Sequence, residues 1–310
     1  MSAHHDHAHH DHAHHRAVGR ALVAALVVTL IYAVVELVGG LWSGSLALVS
    51  DAGHMFSDAA ALAVAGVAAW LARRPPGLRH SYGWQRAEVL GALLNSLFML
   101  GIIVLLVAEA VQRLLAPRPV IAGGVIVVAF VGLVINGFVA LILSRGEANL
   151  NMRMALLHVI GDLLSSLMAV IAGAVIYVTG WLPIDPILSI VIAVLILVTT
   201  LRLLRDTLHV LMEGVPPSIE LAEIGGALAR IPGVISVHDL HVWTLTPGKV
   251  ALSAHVELEE LDRWPEMLDA SERMLHERFA IDHITLQPER RRNMRVQTAV
   301  IRLWRGKLGQ

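Results

Sequence analysis

From about residue 21 to residue 204 the chain is a nearly continuous run of Val, Leu, Ala, Ile and Gly, broken only by short links. A bilayer core takes about 20 apolar residues per helix. Six segments reach that length: 18–40, 46–71, 87–115, 121–143, 154–180 and 186–208. Beyond about Glu213 charged and polar residues return at the density of a globular domain. The change falls in "MEGVPPS", 212–218, where two prolines and a glycine break the last long helix. The expected organisation is a His-rich tail over 1–16, a six-span transmembrane domain over 17–212, a cytoplasmic domain over 213–289 and a basic tail over 290–310.

The links give the orientation. "LWSGS" and "WLPID" hold no Lys or Arg, and the third link on that side adds only Arg118, with Arg113 just before it. The opposite side carries Arg16, Arg20, Arg73, Arg74, Arg79, Arg86, Arg145, Arg153, Arg202 and Arg205. The excess of positive charge places both termini in the cytoplasm, as an even number of spans requires. The first apolar run is too long for a signal peptide and has no small-residue cleavage site after it. The expected location is the cell membrane, most simply a bacterial inner membrane.

Composition excludes several functions. Charged residues make up 16% of the chain, where a soluble protein has about a quarter. Without cysteine there is no thiolate metal site and no cysteine nucleophile. A net charge of -1 gives no electrostatic basis for binding nucleic acid.

Within this apolar background, "SDAGHMFSD" (50–58) places Asp51, His54 and Asp58 in the second span, and "ALLHVIGDLLSS" places His158 and Asp162 in the fifth. Residues four apart share a helix face, about 6 Å apart along the axis. A single His–Asp pair is readily explained as a packing contact. Two such pairs are harder to explain, because each carboxylate costs about 2.5–3.5 kcal/mol near the bilayer centre. If the helices pack together, His54, Asp58, His158 and Asp162 form an N2O2 set suited to tetrahedral Zn²⁺. Four protein ligands leave no position for an activated water, and no HExxH motif is present, so the pattern is not that of an enzyme. Asp51 is read as a relay or a mouth carboxylate. Glu36, Asn95 and Asn136 are read as groups that solvate the cavity or bond between helices.

The stretches "SGSLALVSDAGHMFSD", "YGWQRAEVLGALLN", "ALLHVIGDLLSS", "LMEGVP" and "VHDLHVWTLTPGKVALSAHVEL" together resemble the cation diffusion facilitator family, in particular its zinc-exporting branch. The resemblance implies a membrane all-α six-helix bundle with a small cytoplasmic α+β ferredoxin-like domain of order αββαβ. It also implies a homodimer and proton-coupled zinc efflux by alternating access, with Zn²⁺ as substrate, protons as counter-ion and no organic cofactor. Cadmium is expected to share the site. A non-transporting zinc sensor and a same-fold exporter for cobalt or nickel are the alternatives. By residue match, His54, Asp58, His158 and Asp162 become the transport site, and Arg86 and Glu213 a salt bridge interlocking the membrane and cytoplasmic parts. A second family site between spans 2 and 3 is expected to be absent or weak, since only His80 matches a ligand and Gly77 and Trp84 stand at the others.

In the cytoplasmic segment, "ISVHDLHVWTL" and "KVALSAHVELEE" alternate as two strands around the turn "TPGK", and "DHITLQPE" reads as a third strand. Alternation turns His238 and His241 to opposite faces unless a bulge intervenes. His241, His255 and Glu289 are the chosen cytoplasmic metal set, one that the resemblance implies near a dimer interface. His238 and His283 are further candidates, and His209 and His276 are read as surface or capping residues. The tail "HHDHAHHDHAHH" is too polar to fold alone and is read as a tethered zinc collector.

Overall fold

The computed structural model describes residues 27–72, 74–75, 77–144, 150–246 and 248–290. The His-rich tail and the basic tail lie outside the described residues. The long helices are α1 (Val27–Ser43), α2 (Leu46–Ala72), α3 (Ala87–Leu115), α4 (Ala122–Ser144), α5 (Leu150–Thr179) and α6 (Ile184–Leu211). Of these, α3, α4, α5 and α6 are each long and apolar enough to cross a membrane, so the chain is a multi-pass membrane protein. Two compact units emerge: residues up to Val64 with Leu94–Leu203, and Ala65–Leu93 with the chain from Leu204 onward.

The core of the first unit draws Ala47 and Leu48 from α2, Met99 and Ile103 from α3, and Val125 and Ala129 from α4. Ala169 joins from α5, and Ile192, Ala193 and Ile196 from α6. The alanines matter because lipid gives apolar side chains no reason to leave it, and helices associate through close backbone packing at small residues. Gly132 shows the same principle at its limit. A Cβ there would lie 1.9 Å from the Tyr32 hydroxyl, so glycine is what lets α1 and α4 meet at this point.

The second unit contains α7 (Leu221–Leu228), β1 (Val234–Thr246), β2 (Lys249–Leu258), a 3-10 turn (Leu261–Arg263), α8 (Trp264–Phe279) and β3 (His283–Arg290). The element order α-β-β-α-β follows the sequence expectation. β1 and β2 pair antiparallel around the expected hairpin, closing at Thr246 and Lys249 with Gly248 at φ +82°. β3 lies parallel to β2, so α8 forms the crossover, and the sheet order is β1-β2-β3. Ile224 and Leu228 of α7 and Leu275 of α8 pack with Val237, Val242, Leu252 and Ala254 of the sheet. Each of the larger side chains, the Ile, Leu and Val residues, contributes about 1.5–3 kcal/mol by leaving water.

Candidate functional site

The first His–Asp pair lines a cavity of about 380 Å³ inside the helix bundle. α2 supplies His54, Ser57 and Asp58; α3 supplies Asn95, Ser96 and Met99; α5 supplies Gly161; α6 supplies Thr199, Thr200 and Leu203. The helical repeat puts His54 and Asp58 on one face, and His54 Nε2 lies 3.5 Å from Asp58 Oδ2. Both side chains are partly open to the cavity, at 21% and 32% exposure. Ser57 donates to Asn95 Oδ1 at 3.4 Å, linking α2 to α3 across the wall. Ser57, Ser96, Thr199 and Thr200 were not singled out in the sequence, because isolated hydroxyls in an apolar helix look like ordinary packing groups.

On α5, Asp162 follows cavity-lining Gly161 and is buried at 2% exposure. The His158 side chain lies outside the described residues. Asp51 is fully buried, and its Oδ1 accepts the Ser165 hydroxyl of α5 at 2.5 Å. Asn136 of α4 donates to Ser166 at 3.4 Å, a bond between helices as its sequence position suggested.

In the cytoplasmic sheet the outcome differs from the sequence expectation at one residue. The structure brings together His238, His255 and Glu289, with ligand atoms all within 4.8 Å of one another. His255 Nδ1 is 2.8 Å from Glu289 Oε1, and His238 Nε2 is 3.3 Å from Glu289 Oε2. His241, the expected partner, is displaced. The cause is a bulge: His238 pairs with His255 but His241 pairs with Ser253, so β1 uses one residue more than β2. Asp239 takes up the extra residue at φ +51°, a left-handed conformation that Asp tolerates. Its carboxylate then holds His241 Nε2 at 3.1 Å and lies 3.7 Å from His255 Nε2. His241 therefore sits one step behind the cluster. The three-residue spacing in "VHDLH", with Asp inside it, was the available sign of a bulge.

The other histidines occupy separate places. His283, at the far end of β3 from Glu289, meets Tyr82 edge-on at 5.5 Å between rings. His80 stacks on Trp84 at 4.4 Å. His276 bonds Asp282 at 2.5 Å, and His209 contacts the Val215 carbonyl at 2.8 Å where α6 ends. Arg86 Nη2 is 2.9 Å from Glu213 Oε1.

Two imidazoles and a carboxylate form a donor set that fits zinc with one coordination position left over. The pair in the bundle offers similar chemistry to a cation inside the membrane. A multi-pass protein with such a chamber, and with a small α+β domain bearing its own His–carboxylate cluster, has the makings of a carrier of divalent cations. Comparison with known proteins agrees. The cation efflux transmembrane domain matches residues 22–212, and the cation efflux protein cytoplasmic domain matches residues 216–291. The chain is 43% identical over 273 residues to the zinc transporter ZitB of Escherichia coli (strain K12), covering 87% of each. It is 41% identical over 274 residues to the metal cation efflux system protein CzcD of Cupriavidus metallidurans, covering 87% of this chain and 86% of that one. The chain belongs to the cation diffusion facilitator family, whose members are transporters and not enzymes.

Proposed function

We propose that this chain exports zinc from the cytoplasm in exchange for protons, on the zinc-exporting branch of its family. The observation that carries the reading is the chamber in which His54 and Asp58 of α2 open toward α5 beside Gly161, the neighbour of Asp162. The relatives named as zinc transporters support the choice of metal. In this reading His54, Asp58, His158 and Asp162 hold the ion, six helices span the membrane, and both termini are cytoplasmic. Imidazole must be neutral to bind metal, so protons and zinc compete for the same groups. Zinc loads from the cytoplasm, the bundle reopens outward, and protonation of the ligands displaces the ion.

The cytoplasmic unit, read as ferredoxin-like, dimerises with a second copy. His238, His255 and Glu289 hold a regulatory zinc there, and Asp239 orients His255. Arg86 and Glu213 act as the interlock, and the His-rich tail collects metal. The test is Zn²⁺ flux into proteoliposomes under an imposed pH gradient. Wild-type flux is expected to follow the gradient and Asp162→Ala to abolish it. Normal flux in the variant refutes the paired-helix site, and absence of zinc flux in both proteins refutes transport.

A further inference from the structure

One serine ties together the two helices that carry the candidate ligands. The Ser165 hydroxyl of α5 has a single proton to give. Within its reach are Asp51 Oδ1 of α2 at 2.5 Å, the Asp162 carbonyl at 3.1 Å and the Gly161 carbonyl at 3.5 Å. A serine inside a helix commonly bonds back to a carbonyl of its own helix. Here the nearest acceptor is the Asp51 carboxyl oxygen, so the bond crosses from α5 to α2. Ser165 and Asp51 are buried, at 8% and 0% exposure, and water has little access to compete for it.

This bond fixes a register as well as a distance. α5 ends at Thr179, and a short link turns the chain into α6 at Ile184, whose Asp185 caps the start of α2 at Leu46. α2 and α5 therefore run in opposite directions. Each residue advances a helix by about 1.5 Å. Three residues on from Asp51 stands His54, and three residues back from Ser165 stands Asp162, so these two are level. Seven residues from the bond on each helix, about 10 Å along, Asp58 is level with position 158. Each histidine of the candidate site thus stands opposite an aspartate of the other helix. Helical periodicity keeps each set on one face, as steps of three and four residues do.

We propose that Asp51 is a positioning residue of the transport site: through Ser165 it holds α2 and α5 in the register that brings their histidines and aspartates to one ion. The pair stands one turn beyond His54 and Asp162, on the side away from Asp58. It holds the helices, not the metal. Zinc takes nitrogen and oxygen donors at about 2.0–2.2 Å. A slip of a single residue between the helices displaces a donor by about 1.5 Å, enough to take it out of reach. This role rests on the zinc transport proposed above and adds a residue that sets the geometry of the site without touching the ion.

Zinc flux into proteoliposomes under a pH gradient, measured on the full-length protein against zinc concentration, separates binding from turnover. Ser165→Ala is expected to raise KM for zinc about 10–100-fold, the usual loss when a group that orients metal ligands is removed, with kcat changed far less. Ser165→Thr keeps the hydroxyl and is expected to recover most of the loss. Asp51→Ala with Ser165→Ala should do no more harm than Asp51→Ala alone, since both break one bond. An unchanged KM in Ser165→Ala, or effects of the two substitutions that multiply, overturns the proposal. Should Ser165→Ala fail to fold, Asp51→Asn decides. It keeps an acceptor for the serine, so recovery relative to Asp51→Ala supports the role and an equal KM overturns it. Asp162→Ala tells the two readings apart. If it abolishes flux while Ser165→Ala keeps a normal KM, the positioning role alone is refuted. Flux that survives Asp162→Ala, or is absent from wild type, refutes the transport site and the role of Asp51 with it.

Discussion

Asp185, in the first turn of α6, caps the N-terminus of α2: its Oδ2 accepts the Leu46 N–H at 2.7 Å, 139 residues away in sequence. The same carboxylate accepts the Ser45 hydroxyl at 2.5 Å and the Ala47 N–H at 3.4 Å. Arg113 Nη1 stands 4.0 Å from it and donates to the Gly44 carbonyl at 2.5 Å. A helix leaves its first four N–H groups unbonded, and burying them unpaired is costly. A distant side chain thus fixes the start of the helix that carries His54 and Asp58.

Asp185→Ala is expected to destabilise the bundle by about 1–3 kcal/mol, because it leaves the buried Leu46 and Ala47 N–H groups without their acceptor, while Arg113 keeps its pairing with Glu109 at 2.9 Å. Thermal unfolding in detergent measures this. Asp185→Asn keeps an acceptor oxygen and should recover part of the loss. Equal losses in both variants would show that the cap contributes nothing beyond its charge.

In the cytoplasmic sheet, His238→Ala and His255→Ala should each remove the zinc bound at that cluster. His241→Ala should weaken it about 10–100-fold at most, since His241 bonds Asp239 behind the cluster. Zinc titration of protein carrying Asp162→Ala and lacking the His-rich tail 1–16 isolates this site. A larger effect from His241 than from His238 would place the bulge wrongly.

The pair Arg86 and Glu213 is partly solvent-exposed, at 39% and 61%. An exposed pair contributes only about 0–1 kcal/mol to stability. Arg86→Glu and Glu213→Arg are therefore expected to leave unfolding temperatures nearly unchanged while lowering zinc flux, with the double swap restoring it. Failure of the swap to restore flux argues against an interlock.

Gly132→Ala forces a methyl group against the Tyr32 hydroxyl. Overpacking of this kind costs about 1–3 kcal/mol. Introduced together with Tyr32→Leu, the same substitution should cost less, and a double-mutant cycle on unfolding temperature reads the coupling. Purely additive effects would mean that the two helices do not meet there.

The order of elements was legible because it depends on local pattern. Apolar runs of bilayer length mark α1 to α6, proline and glycine mark their ends, and strand alternation marks the three strands. The four-residue spacing of His54 and Asp58 likewise put both on one face of α2 before any packing was known. Alternation only separated the faces of His238 and His241; the choice of His241 came from the family resemblance, and a bulge is settled by how two strands fit, not by either strand alone.

What the sequence determined by itself was what each residue sees along its own helix or strand, since those periods follow from backbone geometry. Which helices meet was decided by tertiary structure. Asp185 reaches α2, Tyr32 reaches Val128 beside Gly132, and Asp51 shares Ser165 with Asp162 across gaps of about a hundred residues or more. No local preference encodes such contacts. They arise because buried polar groups in a water-poor interior must find partners, and only the packed bundle supplies them.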